Sequence, residues 1–270
     1  MSDAKPVCLT IAGLDPSGGA GVIADVKTFS VLGCFATAAV TSVTFQNTTG
    51  VFGAAHQTAD SVRRQVEAVL DDYDVAAIKI GMLPTKEIVE AIADIIRERR
   101  SQNVVVDPVV RSTSGYDLID KAALQALIDG LFPLATLLTP NIPEVEQITG
   151  VAIESDEDIR DAAGIMHDMG AKNVLVKGGH APNAECRMQN AESRSAVDHL
   201  LMGSDLHIFS AEYIETSGTH GTGCVLSSGI AANLAFGKPL PEAVAAAKEF
   251  VTNAIRTAPK LGHGNSPINV

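Results

Sequence analysis

The stretch of sequence with the clearest chemical potential is "ETSGTHGTGCVLSSGIAANLAF", residues 215–236, in which Gly221, Thr222, Gly223 and Cys224 lead directly into an apolar, helix-like segment. The first N–H groups of a helix have no partner within it, and the macrodipole adds partial positive charge there. The glycines let this backbone approach an anion closely, so the pattern predicts a phosphate-binding turn. At such a helix start we expect Cys224 to have a lowered pKa and to act as a base or nucleophile. The alternative is a tight loop that ends in a buried cysteine.

Side chains that suit phosphate and metal binding follow three of the apolar runs. Lys177 ends "NVLVK" before two glycines, where its ammonium could pair with phosphate oxygens as a point charge. Asn141 and Glu144 lie three residues apart in "TPNIPEVE", where their oxygens could bind Mg²⁺ directly or through water. The same pair could instead cap a helix. Asp107 follows "NVVV" and is a second candidate metal ligand beside Glu144.

A further set of residues suggests a pocket for a small heterocycle. The loop "GLDPSGGAG" (13–21) has neither the Walker A nor the dinucleotide-binding pattern, so its glycines and Asp15 suit a small polar ligand better than a triphosphate. Gln46 follows an apolar run, and its amide can pair with one donor and one acceptor of a flat ring. Met82 could lie against the ring face or belong to the core. Asp25 could face the same ligand or solvent.

Most of the chain alternates short β-branched runs with longer segments of helical periodicity, which predicts a mostly parallel sheet covered by helices. Strands are predicted at 7–13, 35–47, 75–81, 103–110, 135–141 and 172–179, and helices at 21–33, 58–73, 84–100, 121–132 and 156–170. Ligands of open α/β sheets bind beyond the carboxyl ends of the strands, where the candidate residues lie. With no linker or repeat in the sequence, we expect a single domain over residues 1–270.

Composition narrows the classes of function. Of 270 residues, 46% are hydrophobic, which is enough for a large core. The formal net charge is −12 without a cluster of Lys and Arg, which argues against nucleic acid and anionic membranes as partners. No signal peptide or long apolar span is evident, and the four cysteines are far apart. This cysteine spacing argues against a zinc site or a disulfide framework, so a cytoplasmic protein is expected.

One region, residues 180–209, breaks the alternation. It is polar at first and strand-like later, which predicts a hairpin preceded by a loop. In an α/β enzyme such a loop could cover the site, and a surface insertion without a role is the alternative.

Seven segments together resemble one known family. They are "TIAGLDPSGGAGVIADVKTFSVLG", "TSVTFQNTTGV", "KIGMLP", "VVVDPVV…SGYDLI", "LLTPNIPEVEQITG", "VLVKGGH" and "GTHGTGCVLSSGIAANLAFG". In this order and spacing they resemble the hydroxymethylpyrimidine and phosphomethylpyrimidine kinases of thiamine biosynthesis, which belong to the ribokinase-like superfamily. The likeness extends from about residue 7 to "GHG" at 262–264.

The resemblance implies a three-layer α/β/α sandwich around a mostly parallel sheet. It also implies an enzyme that uses ATP and Mg²⁺ to phosphorylate 4-amino-5-hydroxymethyl-2-methylpyrimidine and then its monophosphate. Members of this family are commonly homodimers, so a homodimer is expected here.

Carried over position by position, the resemblance assigns residues 221–224 to an anion hole with a catalytic cysteine, where many ribokinase-like kinases have aspartate. Lys177 matches the contact to ATP phosphate, and Asn141 with Glu144 matches the N-x-x-E motif associated with Mg²⁺.

The positions that match the pyrimidine pocket of the family are Gly13, Asp25, Gln46 and Met82. The sequence departs from the family at Leu14, where serine is usual, and at Phe45, where alanine is frequent.

Three other functions are compatible with parts of the pattern. A pyridoxal or pyridoxine kinase of the same group would bind a similar flat ring that carries a hydroxymethyl group. A non-catalytic ligand-binding module would not need Lys177, Asn141, Glu144 and Cys224 together. A cysteine hydrolase could use Cys224 with His220, but it would leave the lysine and the Asn/Glu pair without a role.

Overall fold

The computed structural model describes residues 5–110, 118–178 and 195–270. Nine strands form one sheet: β1 Val7–Leu14, β2 Phe35–Asn47, β3 Gly50–His56, β4 Val75–Ile80, β5 Val104–Val106, β6 Leu137–Leu138, β7 Asn173–Lys177, β8 Ser195–Met202 and β9 Asp205–Glu212. Eight α-helices lie within the described ranges: α1 Gly21–Val31, α2 Ala59–Asp72, α3 Lys86–Arg99, α4 Lys121–Gly130, α5 Ile142–Thr149, α6 Asp156–Asp168, α7 Thr222–Ala235 and α8 Leu240–Arg256.

The strand order is β3-β2-β1-β4-β5-β6-β7-β8-β9. The six strands from β2 to β7 in this order run parallel. Antiparallel pairing adds β3 at one edge of the sheet and β8 and β9 at the other. Chain order reverses around β1, which has β2 on one side and β4 on the other. This reversal opens a crevice at the carboxyl ends of the strands, where α/β sheets bind ligands.

Two apolar clusters cover the two faces of the sheet and confirm the predicted three layers. One cluster packs α2 to α6 against one face, with Val66, Ile92 and Met166 among its fully buried members. The other packs α1, α7 and α8 against the opposite face, around Phe29 and Ile230. The central strands are therefore buried on both sides, which explains their continuous apolar runs.

Several helices begin at a residue whose side chain caps the first turn. Thr58, Thr85, Asp120 and Ser155 each accept a hydrogen bond from the backbone N–H three residues later. Such a bond satisfies one of the free donors of the first turn.

The structure corrects some predicted boundaries. Strands β5 and β6 are much shorter than expected, because Pro108 and Pro140 have no N–H to continue the ladder. The predicted helix 121–132 ends at Gly130 and is followed by a 3₁₀ turn at Phe132–Leu134. Strand β3 and helix α8 were not predicted. The hairpin expected in 180–209 is confirmed as β8 and β9, and the loop expected before it lies outside the described residues.

Candidate active site

A cavity of about 800 Å³ lies at the carboxyl ends of the parallel strands. It is lined by every predicted site residue except Asp25, namely Gly13, Gln46, Met82, Asp107, Asn141, Glu144, Lys177, Gly221, Thr222, Gly223 and Cys224. These residues therefore line one cavity at one edge of the sheet, and their individual roles stay predictions.

The glycine turn before α7 has the backbone that an anion site requires. Gly221 is the N-cap of α7 and has φ 88°, a left-handed conformation that glycine adopts at little cost. A Cβ atom at this position would overlap the carbonyl oxygen of Gly19, because the turn packs directly on the loop after β1. A Cβ at Gly223 would lie 3.2 Å from Lys177 Nζ. The small residues thus leave room for the helix N-terminus and the lysine to face the same space.

Replacement of Gly221 with alanine is expected to disrupt this turn more than a positive φ alone would. The matched control is Gly150→Ala, because Gly150 has φ 75° and an added Cβ atom there would meet nothing within 4 Å. The free energy of unfolding of the control should fall only by the cost of a left-handed alanine, about 1–2 kcal/mol. Gly221→Ala must also displace the Gly19 carbonyl and tilt the N–H groups, so kcat should fall by roughly 10²-fold. Denaturant unfolding and steady-state kinetics on both variants check this, and equal stability with full kcat would contradict it.

Lys177 is held at the cavity wall by a buried ion pair. Its Nζ lies 2.6 Å from Asp107 Oδ1, and the Thr139 hydroxyl donates to the same oxygen at 3.1 Å. Burial opposes both charges, but their attraction raises the pKa of Lys177 and lowers the pKa of Asp107. Lysine and aspartate are therefore both charged here, and the ion pair holds the Lys177 ammonium in place beside the glycine turn.

Asn141 and Glu144 form a capping box at the start of α5. The Asn141 side chain accepts from Glu144 N at 2.9 Å, and Glu144 Oε2 accepts from Asn141 N at 2.8 Å. The capping interpretation of this pair is thus correct, although both residues also line the cavity. Burial raises the pKa of Glu144 to about 7, with a smaller contribution from Asp107 and opposition from Lys177. A carboxyl group with a pKa of about 7 can release its proton to solvent when a cation binds.

The raised pKa of Glu144 predicts a pH-dependent gain in stability for Glu144→Gln. A folded-state pKa above the unfolded value means that stability is lost as pH rises from about 4.5 to about 7. Glutamine keeps an acceptor for the cap and cannot ionise. Without ligands, the variant should therefore exceed the wild type at pH 8 by on the order of 2–3 kcal/mol and match it at pH 4. Urea unfolding at both pH values checks this. Glu98→Gln, on the exposed face of α3, is the control, and a gain of equal size at both pH values would contradict the prediction.

Cys224 lies in the first turn of α7, but the predicted lowering of its pKa is wrong. Burial raises the pKa of the thiol, and Asp25 and Asp107 raise it further. Lys79 and the backbone N–H of Gly21 act in the opposite direction without prevailing. Desolvation therefore outweighs the helix N-terminus, and the thiol is protonated at neutral pH in the ligand-free protein.

Asp25 does not line the cavity, in contrast to the prediction for it. Its side chain is fully buried and forms an ion pair with Lys79 Nζ at 2.8 Å. The hydroxyls of Thr10 and Ser228 each lie 2.6 Å from its carboxylate. Buried charges persist when they are paired and hydrogen-bonded, so Asp25 supports Lys79 beneath the cavity floor. Lys79, which the sequence left without a role, is the residue of this pair that reaches the cavity.

The side of the cavity where a heterocycle is predicted to bind, called the heterocycle side below, is built from the ends of β1 and β2. A Cβ at Gly13 would lie 3.2 Å from Met82 Sδ, so this glycine admits the methionine close to the strand. Gln46 contacts His220, whose Nε2 lies 2.7 Å from Asp15 Oδ2. Asp15 also accepts from the N–H groups of Ser17 and Ala20. Asp15 therefore stabilises the glycine-rich loop and orients His220, in addition to lining the cavity.

Sequence reasoning missed a charged pair at the other end of the cavity. Lys248 on α8 lies 2.7 Å from Asp198 on β8, and both side chains are largely buried. Asp198 also accepts from Gly178 N at 3.1 Å. The available signal was a lysine within the apolar run "AVAAAKEFV". Its partner is 50 residues away, so only the fold identifies the pair.

The donor set fits a cation that is bound together with phosphate. Within the described ranges, no cluster of three or more His, Cys, Asp and Glu side chains could hold a metal by itself. Asp107 and Glu144 are two carboxylates beside Lys177, and Mg²⁺ is commonly held by one or two carboxylates plus substrate phosphates.

Among the residues that the structure describes, no helix is long and apolar enough to cross a membrane.

The fold and the cavity together define a small-molecule kinase of the α/β/α type. A family model described as phosphomethylpyrimidine kinase matches residues 15–269. A relative from Haemophilus influenzae, described as hydroxymethylpyrimidine/phosphomethylpyrimidine kinase, is 43% identical over 100% of this chain and 97% of its own length.

Two solved structures are similar over nearly the whole chain. The crystal structure of phosphomethylpyrimidine kinase from Clostridium difficile is 39% identical, with a TM-score of 0.79 over 93% of this chain and 100% of its own. The pyridoxal kinase from Staphylococcus aureus in complex with pyridoxal is 32% identical, with a TM-score of 0.87 over 98% of this chain and 93% of its own. The chain belongs to the phosphomethylpyrimidine kinase family and has its ribokinase-like fold, so it is a phosphotransferase.

Proposed function

We propose that residues 1–270 form a single kinase domain that transfers phosphate from ATP to 4-amino-5-hydroxymethyl-2-methylpyrimidine. The same site would then phosphorylate the monophosphate to the diphosphate, as required for thiamine synthesis. The observation that carries this proposal is the position of the glycine turn and Cys224. The turn follows His220, which contacts Gln46, and a Cβ at its Gly223 would lie 3.2 Å from Lys177 Nζ and 3.7 Å from Asp107 Oδ2.

The residues of the chain have distinct tasks in this reaction. Gln46 and Met82 bind the ring and direct its hydroxymethyl group toward Cys224. The Cys224 thiolate, which is the minor form at neutral pH, accepts the hydroxyl proton as the oxygen attacks the terminal phosphorus of ATP and ADP leaves. The N–H groups of Gly221, Gly223 and Cys224 and the ammonium of Lys177 stabilise the negative charge on the transferring group. Positioning and charge stabilisation account for most of the catalysis of phosphoryl transfer.

Asp107 and Glu144 would hold Mg²⁺ beside the phosphates. The ion supplies charge neutralisation on phosphate oxygens when it is bound. The Asp107 carboxylate would then serve both the Lys177 ammonium and the ion. Glu144, with a pKa of about 7, would release its proton when the ion binds.

The direct test is ADP release with Mg²⁺ and ATP, measured separately with the pyrimidine alcohol and with its monophosphate. Turnover of the alcohol with product identified as the 5-phosphomethyl compound is expected, followed by diphosphate from the second substrate. Absence of pyrimidine-dependent ADP release would contradict the proposal and favour a non-catalytic binding module.

A pyridoxal kinase is the second candidate, because the pyridoxal kinase from Staphylococcus aureus superimposes with the higher TM-score. Its sequence identity is lower than that of the phosphomethylpyrimidine kinase from Clostridium difficile. A side-by-side assay with pyridoxal distinguishes the two, and a kcat/KM for pyridoxal equal to or above that for the pyrimidine would reverse the preference.

The orientation of the His220 imidazole argues against the cysteine-hydrolase alternative. Its Nε2 faces Asp15 and Gln46 rather than serving as a base for Cys224. Product analysis after incubation with ATP and pyrimidine separates phosphorylation from hydrolysis.

We further propose that the protein forms a homodimer and that it functions in the cytoplasm. The exposed Phe45 and Phe52, on β2 and the edge strand β3, support a second copy as partner, since such side chains commonly lie in interfaces. Light scattering at micromolar concentration tests this, with a mass of about twice 28.1 kDa expected.

A further inference from the structure

Four residues at the heterocycle side of the cavity form a hydrogen-bonded chain. His220 Nε2 lies 2.7 Å from Asp15 Oδ2 and 3.2 Å from Gln46 Nε2. Gln46 Oε1 lies 3.2 Å from the hydroxyl oxygen of Thr44, and this hydroxyl also lies 3.0 Å from the carbonyl oxygen of Leu14. The amide of Gln46 is therefore contacted at both of its polar atoms by protein groups.

A count of hydrogens shows that the amide is constrained. Burial opposes the charge of Asp15, but hydrogen bonds from His220 and Ser17 outweigh it and lower the pKa of this carboxyl. An ionised carboxylate only accepts, so His220 Nε2 must carry the hydrogen that it donates to Asp15. This nitrogen then has no lone pair left for the NH₂ group of Gln46. Thr44 has one hydrogen, which cannot serve both the Leu14 carbonyl and Gln46 Oε1.

Both conflicts disappear if the Gln46 amide is turned by 180°. The two ends of an amide have the same shape, and their hydrogen-bond partners decide which end is oxygen. After the turn, Oε1 accepts from His220 Nε2–H, which it shares with Asp15. The NH₂ group donates to a lone pair of Thr44, whose own hydrogen goes to Leu14. Every contact in the chain then joins a donor to an acceptor.

We propose that His220 and Thr44 are positioning residues that fix the Gln46 amide in this turned orientation and thereby make the pocket selective for the donor–acceptor order of the heterocycle. The inference rests on the proposed function, since it concerns how the same pocket selects its ring. The fixed amide retains one acceptor site on oxygen and one hydrogen on nitrogen for a ligand. An amide free to rotate would serve either order.

The chemistry of the ring makes this order decisive. A 4-aminopyrimidine presents an adjacent ring-nitrogen acceptor and amino donor, which complement the hydrogen and the oxygen of the amide. A 4-oxopyrimidine has the same shape but presents an N–H donor and a carbonyl acceptor in the reverse order. A fixed amide would place donor against donor and acceptor against acceptor for the oxo ring, and buried polar groups without partners are costly.

The supporting residues are rigid enough for this task. Asp15, Thr44 and His220 are 3%, 5% and 8% exposed. The His220 backbone N–H donates to Ser266 O, so the C-terminal segment holds the residue from the other side. Gly19 packs so closely that a Cβ there would overlap the imidazole ring. The ring of His220 therefore has little room to move away from the amide.

The experiment is calorimetric binding of 4-amino-2,5-dimethylpyrimidine and its 4-oxo counterpart, neither of which has a hydroxyl group to phosphorylate. The wild type should bind the amino compound at least about tenfold more tightly than the oxo compound. Thr44→Val removes the acceptor for the amide NH₂, and His220→Leu removes the donor to its oxygen. Each should bring the ratio of the two dissociation constants toward one.

Thr44→Ser keeps the hydroxyl and is the matched conservative variant, so it should keep the wild-type ratio. A ratio that stays at the wild-type value in folded Thr44→Val and His220→Leu would overturn the inference while leaving the proposed kinase reaction intact. A wild type that binds neither pyrimidine would overturn the proposed function and this inference together. Circular dichroism of each variant confirms folding, and Thr44→Val alone decides the result if His220→Leu does not fold.

Discussion

Replacing Cys224 with alanine is expected to lower kcat by about 10²–10⁴-fold, the usual contribution of general-base assistance. The sulfur lies in the first turn of α7 beside the predicted anion site, and burial keeps its pKa above the ordinary thiol value. Because the thiol is mostly protonated at neutral pH, kcat/KM of the wild type should rise as pH increases. Steady-state kinetics between pH 6 and 9 measure both effects.

Two further variants make this test specific. Cys224→Asp places a carboxylate at the same position, so it should recover part of kcat and remove the rise with pH, since a carboxylate is already ionised. Cys34→Ala removes a cysteine that is buried on the α1 side of the sheet, away from the cavity lining, and is the control for loss of a buried thiol. A Cys224→Ala protein with near wild-type kcat would rule out the base role.

Replacing Lys177 with methionine should reduce both activity and stability. The positive charge beside the transferring phosphate is lost, so kcat/KM for ATP should fall by about 10²–10³-fold, as for removal of other charge-stabilising donors. The variant also leaves Asp107, with a side chain only 3% exposed, without its ion-pair partner. Breaking a buried pair costs about 3–5 kcal/mol. Kinetics and urea unfolding measure the two losses separately.

The double variant Asp107→Asn/Lys177→Met separates structure from catalysis. It removes the unpaired charge, so most of the stability should return while activity stays low. Lys172→Met, an exposed lysine just before β7, is the control and should retain wild-type kinetics. Recovery of activity in the double variant, or a single variant as stable as the wild type, would contradict this account of Lys177.

The sequence determined the features that depend on local spacing. Alternating apolar runs specified a parallel sheet with helices on both faces, because strand and helix periodicities differ. The turn at residues 221–224 and the pair formed by Asn141 and Glu144 are short-range patterns, and their backbone environments follow from a few neighbouring residues. The rule that ligands bind at the carboxyl ends of strands then placed them at one site.

Only the tertiary structure decided the charge pairs and protonation states. Lys177 pairs with Asp107 across 70 residues, Lys79 with Asp25 across 54, and His220 with Asp15 across 205. No periodicity connects such distant positions. The predicted pKa of Cys224 was wrong for the same reason, because the helix start is visible in the sequence and the burial that opposes it is not. Local order followed from the sequence, whereas solvent exclusion and long-range contacts set the electrostatics of the site.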